Sequence, residues 1–463
     1  EALRAGFRGR TVYERVKDAP EQTLSRAWGD MPLKRPLWFV HGLPGNRNTV
    51  RHHANGDIDV TAVGRWFAVQ RSERDSNRKQ WDGDTLRISF GFPDETLRGG
   101  RRLEEGYLPL LHTWWQDGPV YYEQISIMDA LDADLNDIDL DDPTVLLMRV
   151  RMVNVSQTQH ASARLRFASG ARGEGKLTVQ QGRAIAQTDR GPRLRFLIAG
   201  GEQGTFAEDG NSTAWAASIQ PGDAATLHIC IPSVTLTDEK EIEALQKRDF
   251  DSDTKRICGF WRDLTAKAAQ IETPEPWIND FYKAHLRHLL VNCFKELDSD
   301  LLHAHVGTFH YGVYPNESAM MISDLDRRGL HEEAQHNLDS FLHYQGTVSM
   351  PGNFRSSEGQ FYGAGGHETG GYNKSHGYVM WNMAQHWRLT KDRAWMEQAA
   401  PKLIKACDWV TNERKATMSM LKDGAKPLEY GWLPTGSLED VTDYWHWLAT
   451  NSATVWGFQA LAG

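Results

Sequence analysis

Residues 376–411 read HGYVMWNMAQHWRLTKDRAWMEQAAPKLIKACDWVT. The pattern predicts two helices, His376–Leu389 and Trp395–Thr411, broken at Thr390-Lys391-Asp392. Trp387, Trp395 and Trp409 fall on the apolar faces of these helices and are expected in the core. Two helices joined by so short a break form a helical hairpin. Working outward, the same unit recurs. Upstream, Glu317–Arg328 and Leu330–Tyr344 form a pair split at Arg328-Gly329, and Trp277–Leu297 places Ile278, Phe281, His285, Leu289 and Asn292 at three-to-four spacing. Downstream, a last helix is expected to start near Tyr444, with Asp443 as its cap. About six helices in hairpins are therefore expected after Glu275.

Earlier in the chain the period is two. Val120–Ile127, Thr144–Asn154, Ala163–Phe167, Lys176–Gln180, Arg193–Ile198 and Ala225–Ile231 are short and alternating or β-branched, with Gly, Asp, Asn and Pro between them. Gln116-Asp117-Gly118-Pro119 is a hairpin turn. Strands without intervening helices imply an antiparallel sandwich. The charged stretch Asp238–Ala269 reads as a linker helix. The fold class is thus multidomain β plus α: a β-sandwich over 1–235, a helical linker over 236–273, and a helical-hairpin domain over 274–463.

Composition narrows function by exclusion. The 463 residues carry a formal net charge of −9, which argues against a general nucleic-acid binder. No window approaches the roughly 18 uninterrupted apolar residues that a membrane-crossing helix needs. The four cysteines, Cys230, Cys258, Cys293 and Cys407, are widely spaced, form no metal pattern and read as free thiols that leave the compartment open. Bacterial cytoplasm, periplasm or secretion all remain compatible, as does self-association into a homo-oligomer. His41-Gly42-Leu43-Pro44-Gly45 lacks a following nucleophile elbow and reads as a turn. The 17 tryptophans suit cores and sugar-stacking platforms alike.

Three connections, Asp298–Asn316, Gly346–Ser375 and Met418–Asp443, exceed the roughly 12–15 residues usual for structureless loops. They are rich in Gly, aromatics, His, Asn and carboxylates, and they fall on alternate connections. Hairpin helices run up and down, so alternate loops share an end and are expected on one face.

A strand-rich first half followed by hairpins with long loops resembles the six-hairpin glycosidases, the (α/α)6-barrel enzymes that include glucoamylases, maltose-type phosphorylases and α-rhamnosidases. Four stretches carry the likeness. Gly106-Tyr107-Leu108-Pro109 with Trp115-Gln116-Asp117-Gly118 and Tyr122-Glu123-Gln124 is similar to the N-terminal sandwich. Tyr314-Pro315-Asn316-Glu317-Ser318-Ala319 resembles a helix-opening W-P-R-D-x-A segment, with Asn-Glu in place of Arg-Asp. The hairpin from His376 through Trp381 and His386 to Trp409 resembles a middle barrel hairpin, and Gly436–Asp443 (GSLEDVTD) with Asn451-Ser452-Ala453 resembles the segment that holds the general acid. The resemblance implies a toroid of twelve helices. The present helices would form its first half, with Gly463 inside a helix still in progress.

It also implies hydrolysis of a glycosidic bond of an oligo- or polysaccharide with inversion. Glu439 or Asp440 would be the general acid, and the base would lie in a late barrel loop beyond the present helices. Protonating a leaving oxygen requires a carboxyl whose surroundings keep its proton, and an adjacent Glu-Asp pair among aromatics offers that. Tyr314, Asn316 and Glu317 are candidate sugar contacts, although Glu317 behind Pro315 also suits a helix start. Tyr362, His367, Glu368, Tyr372 and His376 are candidate contacts from the second loop, with Glu368 as an alternative acid. Trp381, Trp432 and Trp445 are candidate stacking platforms. His303, His305 and His310 near Tyr311 are similar in kind. His367 and His376 lack metal-ligand spacing, so neither a metal nor a cofactor is expected. The alternatives are an inverting disaccharide phosphorylase on the same fold and a non-catalytic carbohydrate-binding protein.

Overall fold

Strand and helix pattern divide the chain as their periods dictate. In the computed structural model, residues 11–23, 26, 38–53, 56–60, 86–89, 99–169, 176–188, 191–236, 238–297, 299–307, 312–368, 373–439 and 441–463 are described. Residues 1–37 form one unit and residues 38–463 another. In the first, helix α1 (Val12–Lys17) opens with a capping box: Thr11 Oγ1 accepts from Glu14 N, and the Glu14 carboxylate accepts from Thr11 N.

The second unit begins with a three-stranded sheet, β1 (Phe39–His41), β2 (Val50–His52) and β3 (Ile58–Asp59). The strands that follow are β4 (Leu86–Ser89), β5 (Gly99–Glu104), β6 (Leu108–Asp117), β7 (Val120–Ala130), β8 (Thr144–Asn154), β9 (Ala161–Ser169), β10 (Leu177–Gln180), β11 (Arg183–Thr188), β12 (Gly191–Gly200), β13 (Gly204–Asp209), β14 (Ser212–Ile219) and β15 (Ala224–Pro232). They make an eight-stranded sheet, β10-β11-β12-β15-β8-β7-β6-β5, and a four-stranded sheet, β13-β14-β9-β4. Every pairing between these strands is antiparallel. The turn between β6 and β7 is the Gly118-Pro119 pair, with Gly118 at φ +53°. The two sheets share a core, in which Phe167 of β9 meets Phe196 of β12 at 5.4 Å between ring centroids.

The central strand β8 is buried along most of both faces. Its second face is covered by the linker, which is two helices: α2 (Glu239–Gln246), capped by Asp238, and α3 (Phe250–Lys267), capped by Asp249. A single helix was the expectation for Asp238–Ala269. A chain break between Gln246 and Phe250 gives each helix its own acidic cap and turns Ile257, Cys258 and Trp261 of α3 into the core. The fully buried Asp129 carboxylate ties this break to the sheet by pairing with both Arg248 and Arg256.

Under β1 and β2 lies a sealed polar cluster. His41 Nε2 and His52 Nδ1 both meet Ser126 Oγ, at 3.1 and 3.0 Å, and His52 Nε2 bonds Gln124 Oε1 at 2.9 Å. Burial pushes the His52 imidazole down to about 3, and burial likewise takes His376 to about 4. Unfolded histidines titrate near 6.5, so the unfolded chain binds the extra protons. Stability is therefore full above about pH 6.5 and falls as pH drops toward 4, by about 1.4 kcal/mol per pH unit for each such histidine. Denaturant melts across this range should show that slope, and His376→Gln should flatten it.

The helical part contains α4 (Pro276–Val291), α5 (Pro315–Arg327), α6 (His331–His343), α7 (Ser375–Thr390), α8 (Arg393–Arg414) and α9 (Leu448–Ala462). Alternate helices are neighbours: α7 packs on both α5 and α9, with α6 and α8 outside them. That is an arc of two helical layers. The arc is held inside by Asp326 of α5, whose buried carboxylate accepts from His386 of α7 at 2.9 Å and from His331 of α6 at 2.7 Å.

The α7–α9 contact depends on small residues. A Cβ on Gly377 would lie 2.2 Å from the Ala453 carbonyl oxygen, and one on Gly457 would lie 2.7 Å from the Gly377 oxygen. Gly377→Ala should cost about 1–3 kcal/mol, as overpacking does. Gly259→Ala, inside α3 with open space around it, should stabilise by roughly 0.5–1 kcal/mol. Thermal melts of the two variants should move in opposite directions.

The expected final helix is shorter than its periodicity suggested. Val441–Trp445 forms strand β19, paired with β18 (Gly436–Leu438), and α9 starts at Leu448 behind Trp447. Asp443 therefore lies on a strand, four residues before the helix's cap, Trp447, and does not cap it. Cys293–Lys295 is likewise strand β16, paired with β17 (Leu302–Ala304), where helix was expected to run to Leu297. No helix among the described residues is long and apolar enough to cross a membrane.

Candidate functional site

The three long loops meet at the end of the arc where α5, α7 and α9 begin. The first loop joins the second through Val313 N, which donates to His367 O at 2.7 Å, and through a parallel bridge between Val313 and Glu368. The second joins the third through Asn353 N to Thr435 O (2.8 Å), Asn353 Nδ2 to Thr435 Oγ1 (2.7 Å), Ser437 N to Pro351 O (3.1 Å) and the Lys374–Glu439 pair. Asn373 Nδ2 also donates to Pro351 O, at 2.8 Å, and passes so close to Gly436 that a Cβ there would lie 1.9 Å from it. Only glycine fits at that crossing.

Each loop is pinned to the helices below it. Glu413 of α8 is buried and accepts from Arg355 N and Ser356 N. Trp409, one turn earlier, donates from Nε1 to Ser356 O at 2.7 Å and packs on Phe354 and His376. In the third loop, Asn451 of α9 accepts from Leu433 N at 3.0 Å, and Trp447 Nε1 donates to Gly436 O at 2.8 Å.

Glu439 stands at the tip of the β18–β19 hairpin, between the paired residues Leu438 and Val441. Its φ is +53°, the left-handed conformation of a tight hairpin turn. Its side chain is 49% exposed and pairs with Lys374 Nζ, at the cap of α7. The carboxylate thus sits beside a lysine and the positive end of a helix dipole, in contact with solvent. Asp440 and Tyr372 lie outside the described residues, as do His310 and Tyr311. On the same hairpin, Tyr444 and Trp445 are 45% and 60% exposed, with Trp445 paired opposite Gly436 at the base. Glu368 is partly buried and accepts from Ala364 N (3.0 Å) and Gly366 N (2.7 Å), so its carboxylate shapes the second loop.

Behind these residues is a network that joins His303, His305 and His367, already candidates in the sequence, to Glu296 and Tyr344, which were not. Glu296 accepts from His303 Nε2 at 2.9 Å and from the Tyr344 hydroxyl at 2.5 Å. Burial raises its carboxyl, but these two hydrogen bonds outweigh burial and hold it below the usual range. The His303 ring stacks on His367 at 4.0 Å and 9°, and His367 Nδ1 lies 2.9 Å from His305 Nε2. Glu296 is near His303 only because β16 and β17 pair, and nothing in its local sequence marks that. Among the described residues, no group of three His, Cys, Asp or Glu side chains could hold a metal ion.

Several candidate contacts are placed elsewhere. His376 is turned into the core, where Nδ1 accepts from Phe361 N at 3.0 Å and the ring meets Trp409 edge-on. Tyr362 is buried in an apolar cluster with Met350, Trp409, Val410 and Leu433. Trp381 is two turns into α7 and stacks on Trp456 of α9 at 4.4 Å, away from the loops. His376 and Trp381 lie on faces of α7 that pack on neighbouring helices, and Tyr362 stays within the second loop, packed beneath it. Tyr314, Asn316 and Glu317 form the cap and first turn of α5, with Asn316 buried and Tyr314 and Glu317 partly exposed. Trp432 is partly buried in the third loop, where its carbonyl accepts from Thr417.

No family model matches the chain, and no curated protein matches it. Among solved structures, it is similar to the GH92 family glycosyl hydrolase ccman5, with TM-score 0.27 and 10% identity, over 88% of this chain and 65% of that one. It is also similar to the GH92 α-mannosidase BT3965 from Bacteroides thetaiotaomicron, with TM-score 0.28 and 11% identity, over 72% of this chain and 56% of that one. The complex of that mannosidase with mannoimidazole gives TM-score 0.23 and 8% identity, over 89% of this chain and 57% of that one. The chain thus spans less than two thirds of the length of these proteins.

Proposed function

We propose that the protein is a glycoside hydrolase that cleaves a glycosidic bond of an oligo- or polysaccharide at the loop face. One observation carries this reading. Three long loops from alternate connections are hydrogen-bonded to one another, and the third displays a solvent-accessible carboxylate, Glu439, at the tip of a hairpin whose second strand carries exposed Tyr444 and Trp445 toward its base. Glycosidic cleavage requires a carboxyl beside the leaving oxygen, and sugar rings bind by stacking an apolar face on an aromatic one. Glu439, once the bound sugar displaces Lys374 from it, or its neighbour Asp440 protonates the leaving oxygen. Trp445 carries the ring, and Lys374 and Asn353 lie within the same loop cluster for its hydroxyls. Reaction proceeds with inversion, in which a second carboxylate about 6.5–9.5 Å away activates water on the opposite face.

The test is turnover of nitrophenyl glycosides, α-mannosides and α-glucosides among them, and of the corresponding oligosaccharides. The anomer first released is read by proton NMR. Release of the inverted anomer supports the proposal. Retention overturns its mechanism, and unchanged turnover in both Glu439→Ala and Asp440→Ala overturns the site.

A further inference from the structure

Far from the loop face, the break between α2 and α3 leaves a cavity of about 370 Å³ against the eight-stranded sheet. That volume lies within the roughly 300–1,000 Å³ of small-molecule sites. Its floor is apolar, with Leu197 from β12, Cys230 from β15, and Leu245 and Phe250 from the helices. Its rim is polar and uncommitted: the side chains of Gln181, Arg183 and Gln246 make no hydrogen bond or ion pair with described residues.

One wall is set before any ligand arrives. The Phe250 ring stacks on His228 at 5.7 Å and 19°, and the Arg149 guanidinium lies 4.7 Å from the Phe250 centroid. Gln181 sits in the two-residue turn between β10 and β11, which is fixed by pairing on both sides. The charges around the cavity nearly cancel. Arg248 is consumed by Asp129 and Asp253, and Asp249, which also lines the cavity with Arg183, accepts from Ser252 N as the cap of α3. Burial and the nearby Arg149 lower the His228 imidazole, so it is neutral near pH 7. An anion would find only Arg183 uncommitted. A wholly apolar ligand would strip water from three amide or guanidinium groups without replacing it.

We propose that this cavity is a second carbohydrate-binding site, which takes one or two rings of a neutral saccharide. Hydroxyls bond to Gln181, Arg183 and Gln246, and the ring's C–H face lies on Leu197. The site does not depend on the loop face or on any activity there.

The test uses the full chain with maltose, cellobiose and mannobiose as probes, each at millimolar concentration, followed by saturation-transfer NMR and titration calorimetry. At least one probe is expected to bind. Arg183→Ala combined with Gln246→Ala should weaken it about tenfold or more, and Ala199→Trp, which fills the cavity from its exposed wall, should abolish it. Thermal melts establish that these variants are folded. Glu439→Gln should leave this binding intact, which separates the cavity from the loop face. The proposal fails if no probe binds, if binding survives both cavity variants, or if it disappears with Glu439→Gln instead.

Discussion

Replacing Glu439 with glutamine is expected to lower kcat by about 10²–10⁴-fold, the range supplied by a positioned general acid. The fold should barely notice. Glu439 is at a hairpin tip, half exposed, and its one ion pair is with Lys374. Exposed pairs of this kind contribute about 0–1 kcal/mol, so the melting temperature of Glu439→Gln should stay near that of the parent. The contrast is Asp443→Asn, on the same hairpin and also exposed, which should leave kcat unchanged. Initial rates on a saturating glycoside, with melts of all three proteins, make the check. A large rate loss accompanied by an equal loss of stability would assign Glu439 a structural role instead.

Trp409→Ala should show the opposite signature. This residue is 3% exposed, fills the apolar cluster under the second loop, and holds Ser356 O with its indole N–H. Removing a buried tryptophan costs about 3–5 kcal/mol, and here it also unpins the loop from α8. The variant should therefore unfold at lower denaturant, and protease should cut it within residues 346–375 well before the parent. Activity should fall with it, because the second loop positions the third through Asn353 and Pro351. Trp409→Phe keeps the ring but not the N–H, and should recover most of the stability and less of the loop protection. Equal protease resistance in all three would contradict the anchoring role of the indole.

The hairpins were legible in the sequence because their signals are local. Asp392 caps α8 by accepting from Trp395 N, as the Thr390-Lys391-Asp392 break implies, and Lys391 adopts the left-handed conformation at the end of α7. The convergence of the loops followed from counting ends, since alternate connections of up-and-down helices emerge together. Long-range pairing was harder to read. Val441–Trp445 carries both aromatic β-formers and a helix-like spacing, and only its partner Gly436–Leu438 decides the matter. Glu296 and Tyr344 are 48 residues apart and join through a hydroxyl that no periodicity marks. The linker looked like one helix because Lys247–Asp249 is polar on either reading. The structural reason for the break, the buried Asp129 with its two arginines, lies on a strand more than a hundred residues earlier.

The most direct measurement is a crystal structure of Glu439→Gln with an unhydrolysed oligosaccharide. A sugar ring is expected against Trp445, with its glycosidic oxygen about 2.6–3.2 Å from the residue-439 side chain. An ordered oligosaccharide that leaves this hairpin untouched, bound elsewhere on the helical arc, would contradict this expectation.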